Sequence, residues 1–509
     1  MSDRAPASPA ASASEPLRPL LFSLLILSAC GGGAHDGAPA AGPDGAATDT
    51  VDTMDSDAPD PGSDQRAVEL LGLTVEPNPI CTLSCVVRWT TETPASSWVL
   101  VGSDGPPTHR IGSPDAVTDH EVIVLGLAPE TKVTLFAISN DARSEALFFA
   151  TGAAPPPWMG GTVDVHVPGE SWSGWTLANV LSGTTTDEPL VLVLLDMEGR
   201  PVWTYEGPMG SGRGDIHASM VEDRYVLVGG GFSAGARPFL MDLKGELLWE
   251  GPVQPGGDGP VPNLLVEGTM HHGFYRLDDG TFVVIENTIR DGIIGDRVRH
   301  FDAADQTLWL WDAFDHLGDP HVAALGQWLH TNSVVLDPAA GTALISCMAL
   351  GTIFEVEHPS GDVRWALGEG GDFAPDPAAT HPWFHGGHGV DRLPDGHILL
   401  YDNGTAQRGF SRAVEYALDE EAMTATIAWE YPGDADDPWF NGAMGDADAL
   451  PNGNVFISAG NGVQKQSASR LIEVTRSGEK VWEMWWHDDG ETRSGCYQAD
   501  RIPSLLQPL

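Results

Sequence analysis

The sequence predicts an all-β protein: a six-bladed β-propeller preceded by a small antiparallel β-sandwich. Three observations predict it. Short apolar runs punctuated by D-G, N-G and P-D-G recur along the chain, while long amphipathic helical patterns are scarce. The 509 residues include 60 Gly and 39 Pro, a composition of many turns, and 42% hydrophobic residues, enough for a large core. From Thr162 onward a turn followed by an aromatic strand repeats, as "DMEGRPVW", "DLKGELLW", "DAADQTLW", "HPSGDVRW", "LDEEAMTATIAW" and "TRSGEKVW".

The elements follow in chain order. "LRPLLFSLLILSAC" sets Arg18 before an apolar run, Leu20 to Leu27, that is far too short to span a bilayer. It ends at Cys30 and resembles a bacterial lipoprotein signal, with Cys30 as the lipidated first residue of the mature chain. Residues 31–66 are Gly, Ala, Pro and Asp with almost no core formers, which reads as a disordered acidic tether. Together these predict a body anchored by lipid in the bacterial cell envelope, facing the periplasm or the cell surface. The net charge of −46 repels nucleic acid and anionic headgroups, so no nucleic-acid partner is expected. An anionic substrate would need a locally organised site.

Residues 67–152 contain six short strand patterns with the spacing and turns of a sandwich, with Trp89 as core anchor. "LGLAPETKVTLFA" resembles the end of a fibronectin type III domain, with Val133 where an aromatic is usual. Cys81 and Cys85, in "ICTLSC", are close enough to form a local disulfide in an oxidising compartment. Cys347 and Cys496 read either as a bond or as two isolated thiols. No CxxC occurs, so a structural zinc site is not supported.

The propeller is predicted over 160–509. The recurring tryptophans, Trp203, Trp249, Trp309, Trp365, Trp429 and Trp482, are 46 to 64 residues apart, one four-stranded blade each. They read as packing between blades. A solenoid of six repeats would carry polar end caps, and none is visible. A second recurring element, as in "HHGFYRLDDGTFVVIEN" and "GHGVDRLPDGHILLYDN", reads as the first hairpin of a blade. His272, His330 and His388 begin three successive innermost strands, which in a propeller converge on the axis. Three imidazoles at equivalent places point to use rather than chance burial.

These segments carry a family resemblance. "MHHGFYRLDDG", "WLHTNSVVLD", "GGHGVDRLPDGHILLYDNG", "SRAVEYALDEE", "ALPNGNVFIS" and "CYQADRIPSLL" resemble the bacterial arylsulfotransferase (aryl-sulfate sulfotransferase) family, whose fold is a six-bladed propeller. The resemblance implies transfer of a sulfuryl group from an aryl sulfate to a phenol, without a nucleotide donor or any cofactor. It implies His388 as a nucleophile that is transiently sulfated and His272 as a second active-site histidine. It implies His330 and Asn332 as the pair that contacts the sulfuryl oxygens and assists proton transfer. Asn332 also reads as a simple turn cap. Trp328, Trp383 and Phe384 are placed to stack on aryl rings or to pack. The family pattern puts an arginine in a stretch matching "LISCMALGTIFEVE", where this chain has Met348. It also commonly puts an acid where Gly273 and Gly389 stand. Arg276 and Arg392, four residues after their histidines, could face the funnel and replace the lost charge, or lie at the rim. His271 and His385 read as supporting or water-bound residues. Asp446 and Asp448, in "GDADALPNG", look like a short acidic ion site but read as a solvated turn, so no metal site is predicted.

Three function classes stay open on the sequence. The first is a sulfohistidine aryl sulfotransferase. The second is a propeller that kept the fold, lost transfer with the arginine, and binds a ligand or a protein. The third is a metal-dependent enzyme built on the three imidazoles.

Overall fold

The computed structural model describes residues 68–102, 105–180, 189–207, 216–230, 235–255, 266–318, 320, 327–435, 437–460, 469–486 and 495–509. The signal-type segment with Cys30 and the tether 31–66 lie outside the described residues. Residues Arg66–Leu509 make one compact unit. Among the described residues nearly all regular structure is β, and no helix is long and apolar enough to cross a membrane.

Six antiparallel sheets form six blades. The innermost strands of blades two to six are Ile216–Val221, Met270–Arg276, Thr331–Asp337, His388–Arg392 and Asp446–Ala449. The first blade takes its innermost strand from the chain end: Ala499–Pro503 pairs with Gly174–Asn179. The sixth blade takes its outermost strand from the start of the propeller, where Gly161–His166 pairs with Lys480–Trp486. The ring is thus fastened at both its inner and its outer edge.

Blade stacking explains the sequence pattern. Val191–Leu195, third in its blade, and the second strands Ile398–Asp402 and Val455–Ala459 are buried at every residue, because both faces meet a neighbouring blade. Their sequences are therefore continuous apolar runs rather than alternating ones. The repeated tryptophans sit on fourth strands and reach into the next blade. The indole N–H of Trp203 donates to Leu243 O at 2.9 Å, that of Trp249 to Ala303 O at 3.0 Å, and that of Trp309 to Pro359 O at 3.0 Å. Trp429 donates to Arg476 O at 3.1 Å, and Trp482 donates to Met197 O at 2.9 Å, closing the circle. Each acceptor lies in the short turn before the next blade's own tryptophan. Trp365 is the exception: the turn it faces is the longer "LDEEAMT", and its buried N–H has no acceptor.

Before the propeller, Cys85–Gly102 and His109–Val124 form a long bent pair, with register shifts between Thr90 and Ser97. Leu71–Pro77, Lys132–Ser139, Leu147–Ala150 and, near the C-terminus, Gln507–Pro508 pair around it. Trp89 is buried there, stacked on His120 with ring centroids 4.8 Å apart. This sheet shares one apolar core with the first two blades, through Trp175, Leu177, Trp203 and Ile216.

The expected Cys81–Cys85 disulfide is not formed; both are free, buried thiols. Cys85 enters the strand pairing, whereas Cys81 lies outside the strands, in the turn before it. Burial pushes the Cys85 thiol up to about 12. Cys347 and Cys496 are likewise separate buried thiols.

Candidate active site

The inner strands of blades three, four and five each break register at the same end. Extra residues sit between Met270 and Phe274, between Thr331 and Ser333, and between His388 and Asp391. Such bulges re-aim side chains. His272 and His330 take left-handed backbone conformations there, with φ of 54° and 51°, which few non-glycine residues adopt. Backbone strain of this kind concentrates at functional sites.

The result is a cluster of imidazoles. The His272 ring lies 4.9 Å from that of His330, 6.4 Å from that of His388 and 5.0 Å from that of His271. Tyr497, buried in the closing segment, packs 5.9 Å from His272 and 6.3 Å from His388. His388 is buried, whereas His272 and His330 are half-buried.

Each ring is held through Nδ1. His388 Nδ1 contacts Asn403 Oδ1 at 2.6 Å and Gly386 O at 3.0 Å. Both partners are acceptors, so the proton is on Nδ1 and Nε2 keeps its lone pair. His330 Nδ1 meets Gln327 Oε1 at 2.6 Å. His272 Nδ1 lies 2.8 Å from His271 Nδ1, and His271 Nε2 lies 3.3 Å from Asp296 Oδ1, a contact off the ideal hydrogen-bond direction. Asp296 is held in turn by Thr331 N at 2.6 Å. With His271 Nε2–H facing the carboxylate, His271 Nδ1 accepts from His272 Nδ1–H. Three Nε2 lone pairs are thereby free.

Burial lowers the pKa of all three. His388 is lowered by burial, in part offset by its bonds to Gly386 and Asn403. His272 is lowered well below the usual range by burial and by its neighbours His330, His271 and His388. His330 is brought to about 4, first by burial. Neutral imidazoles at neutral pH are nucleophiles and bases.

Asn332 is buried, and its amide nitrogen donates to Gly387 O at 2.7 Å, tying blade four to the loop before His388. Met348 opens a single 3₁₀ turn, with its N–H on His330 O, and a Cβ added at Gly386 would lie 3.8 Å from Met348 Cγ. The position aligned with the family arginine therefore lies beside His388's carbonyl partner.

Other candidates are not brought to the cluster. Arg276 ion-pairs with Glu222 at 3.7 Å, and Arg392 with Glu355, both at the far end of the inner strands. Of the two placements expected, beside the histidines in the funnel or at the rim, the first is corrected: each arginine lies four positions along the strand from its histidine and faces an acid of a neighbouring blade. Trp328 packs on Phe314 at 5.1 Å in a closed core, and Trp383 packs on Tyr416 at 6.4 Å. Neither offers an open ring face to the cluster, because the bends before blades four and five need large apolar plugs. Asp446 and Asp448 are a further correction. They lie on the sixth innermost strand, not in a solvated turn.

Several site residues escaped the sequence reading. Asn403, Asp296, Tyr497 and Gln327 contact the histidines from other strands and loops. Asp402 and Arg412 hold the loop that delivers His388. Asp402 accepts from His385 N and Gly404 N and pairs with Arg408 at 2.5 Å and Arg412 at 2.8 Å. Arg412 also donates to His381 O and Trp383 O. The signal was present in "YDNG" and "SRAVEY", whose polar residues interrupt otherwise apolar strands.

Among the described residues, the three imidazoles are not a set whose nitrogens all lie within 4.8 Å of one another, as one shared metal would require. The imidazoles thus form one cluster shared by blades three to five.

Residues 255–498 match the family model described as arylsulfotransferase (ASST). The ASST match spans blades three to six, including every histidine of the cluster. No curated protein matches the chain significantly. Among solved structures, a Bacteroides caccae protein of unknown function is 14% identical over 65% of this chain and 99% of its own, with a TM-score of 0.42. A putative 6-phosphogluconolactonase from Bacteroides uniformis is 12% identical over 80% and 100%, with a TM-score of 0.37. A periplasmic gluconolactonase from Pseudomonas aeruginosa is 12% identical over 79% and 99%, with a TM-score of 0.34.

Proposed function

We propose that this protein is a nucleotide-independent aryl sulfotransferase working through a sulfohistidine on His388. The observation that carries the reading is the convergence of three neutral imidazoles, each tethered through Nδ1, inside the segment matching the arylsulfotransferase family. In the first half-reaction His388 Nε2 attacks sulfur of an aryl sulfate. The N–S bond forms, the aryl O–S bond breaks, and the phenolate leaves to take a proton from solvent. The ring then carries positive charge, which Asn403 Oδ1 and Gly386 O face at Nδ1–H. In the second half, the acceptor phenol gives its proton to His272 Nε2 and its oxygen attacks sulfur. The N–S bond breaks and His388 returns to its neutral form. His271 Nδ1, accepting from His272 Nδ1–H, fixes the tautomer that leaves His272 Nε2 as the base. The remaining amide hydrogen of Asn332 is offered to the equatorial oxygens, while His330, with its proton on Nδ1, assists proton transfer through its free Nε2.

The proposed place is the cell envelope, through a lipid on Cys30. A second reading, a propeller that binds but does not transfer, is favoured by Met348, which supplies no charge for an anionic group. One experiment separates the two. Residues 66–509 are incubated with a chromogenic aryl sulfate and a phenol, and phenolate release and intact mass are followed. Transfer predicts acceptor-dependent release and a sulfuryl adduct that is absent from His388→Asn. No release and no adduct from folded protein, across several aryl sulfates, would support binding alone.

A further inference from the structure

A cavity of about 550 Å³ runs along the propeller axis, lined by inner strands of all six blades. The three cluster histidines are not among its lining residues. Four carboxylates, those of Asp391, Asp446, Asp448 and Asp500, line it among apolar side chains, and Arg501 lines it too, ion-paired with Glu473. Asp446 and Asp448 are two apart on one strand and so share a face. Asp500 joins them from the adjacent closing strand. One carboxylate oxygen from each of Asp446, Asp448 and Asp500 lies within 4.8 Å of the other two.

Carboxylates this close repel one another and lose hydration, so they need a counter-charge or a shared proton. Among the described residues no lysine or arginine pairs with any of the three. Asp446 Oδ1 accepts only its own strand's Ala447 N–H, at 2.9 Å. Gly389 gives the carboxylate room: its φ is +53°, and a Cβ there would fall 1.7 Å from Asp446 Oδ1.

An independent group points into the same place. His217, on the second blade, is 6% exposed, and its Nδ1 has no hydrogen-bond partner among the described residues. Its Nε2 makes an ion-pair contact with Asp500 Oδ1 at 3.7 Å. Neighbouring ligand atoms around a cation with bonds of 2.0–2.6 Å sit roughly 3–4 Å apart. We propose that Asp446, Asp448 and Asp500 bind one divalent cation in the axial channel, beside His217. Three carboxylates suit manganese or calcium. The ion would join the sixth blade and the closing strand of the first, fastening the ring where its two ends meet.

The test uses residues 66–509 after chelation, titrated with Mn²⁺, with free Mn²⁺ read by electron paramagnetic resonance and thermal unfolding in parallel. Ca²⁺ and Zn²⁺ are run as competitors. The expected result is one saturable equivalent that raises the melting temperature. Asp448→Asn and Asp500→Asn should each weaken binding at least tenfold and remove the thermal gain. In chelator, Asp448→Asn should melt no lower than the parent, because one like charge is gone. That last readout separates a ligand from a residue that merely supports the fold. No saturable binding of Mn²⁺, Ca²⁺ or Zn²⁺ by folded parent protein would overturn the proposal. So would binding that survives in Asp448→Asn and Asp500→Asn but is lost in His397→Ala, since Asp395, His397 and Glu415 form the other group of suitable spacing among the described residues. If either aspartate variant fails to fold, the parent titration and the other variant decide.

Discussion

His388 is distinguished from its neighbours by two acceptors on one nitrogen, Asn403 Oδ1 at 2.6 Å and Gly386 O at 3.0 Å. Asn403→Asp keeps an acceptor but adds charge, which favours the protonated ring. The acid limb of kcat/KM should then move to higher pH, while kcat on the plateau stays within about tenfold, the scale of one 1.4 kcal/mol interaction. A pH–rate profile of the two proteins checks this. In the parent, burial lowers the pKa of His388, His272 and His330, so the neutral forms persist below the ordinary 6.5 and activity should be retained at pH 6. The stability sign is equally fixed. As pH falls from 6.5 towards about 4, the unfolded chain binds a proton at residue 330 that the folded chain refuses, so His330 contributes a loss of stability across that window. Chemical denaturation at pH 7 and pH 5 measures it. Met348→Arg restores a cation beside the Gly386 loop. It should raise kcat/KM by about 10- to 100-fold, the lower range for one anion-stabilising donor.

The blade contacts make a sharper test at the level of the element. Trp482 and Trp365 occupy the same place in the repeat, but only Trp482 has an acceptor for its indole, Met197 O at 2.9 Å. Trp482→Phe should therefore cost about 1 kcal/mol more than Trp365→Phe, the net worth of one buried hydrogen bond. Denaturant midpoints of the two variants give the difference directly. The inner strands show why three histidines meet. Their hairpins were legible from turn signals, and so was their recurrence. The bulge that holds His272 in left-handed backbone was not, nor was the left-handed turn at His330 just before its strand, because register depends on the partner strand.

For the whole molecule, the closing strand Ala499–Pro503 is the decisive piece. Deleting residues 499–509 removes the innermost strand of the first blade and Asp500, so the shortened chain should not yield a cooperative unfolding transition. Deleting only 507–509 removes a two-residue pairing to the small sheet and should leave such a transition, lowered by a few degrees at most. Calorimetry of both truncations distinguishes them. The sequence by itself determined the all-β class, the number of blades and the histidines that start three inner strands, because turn chemistry and hydrophobic period are local. Tertiary structure alone decided which side chains serve those histidines. Asn403, Asp296 and Tyr497 lie 15 to 225 residues from the rings they touch, and no local period marks them. It likewise decided that Arg276 and Arg392 pair with acids away from the cluster, and that Asp446 and Asp448 gain Asp500 as a neighbour. A propeller's axis gathers one strand from every blade, and only closure of the ring fixes which of them face one another.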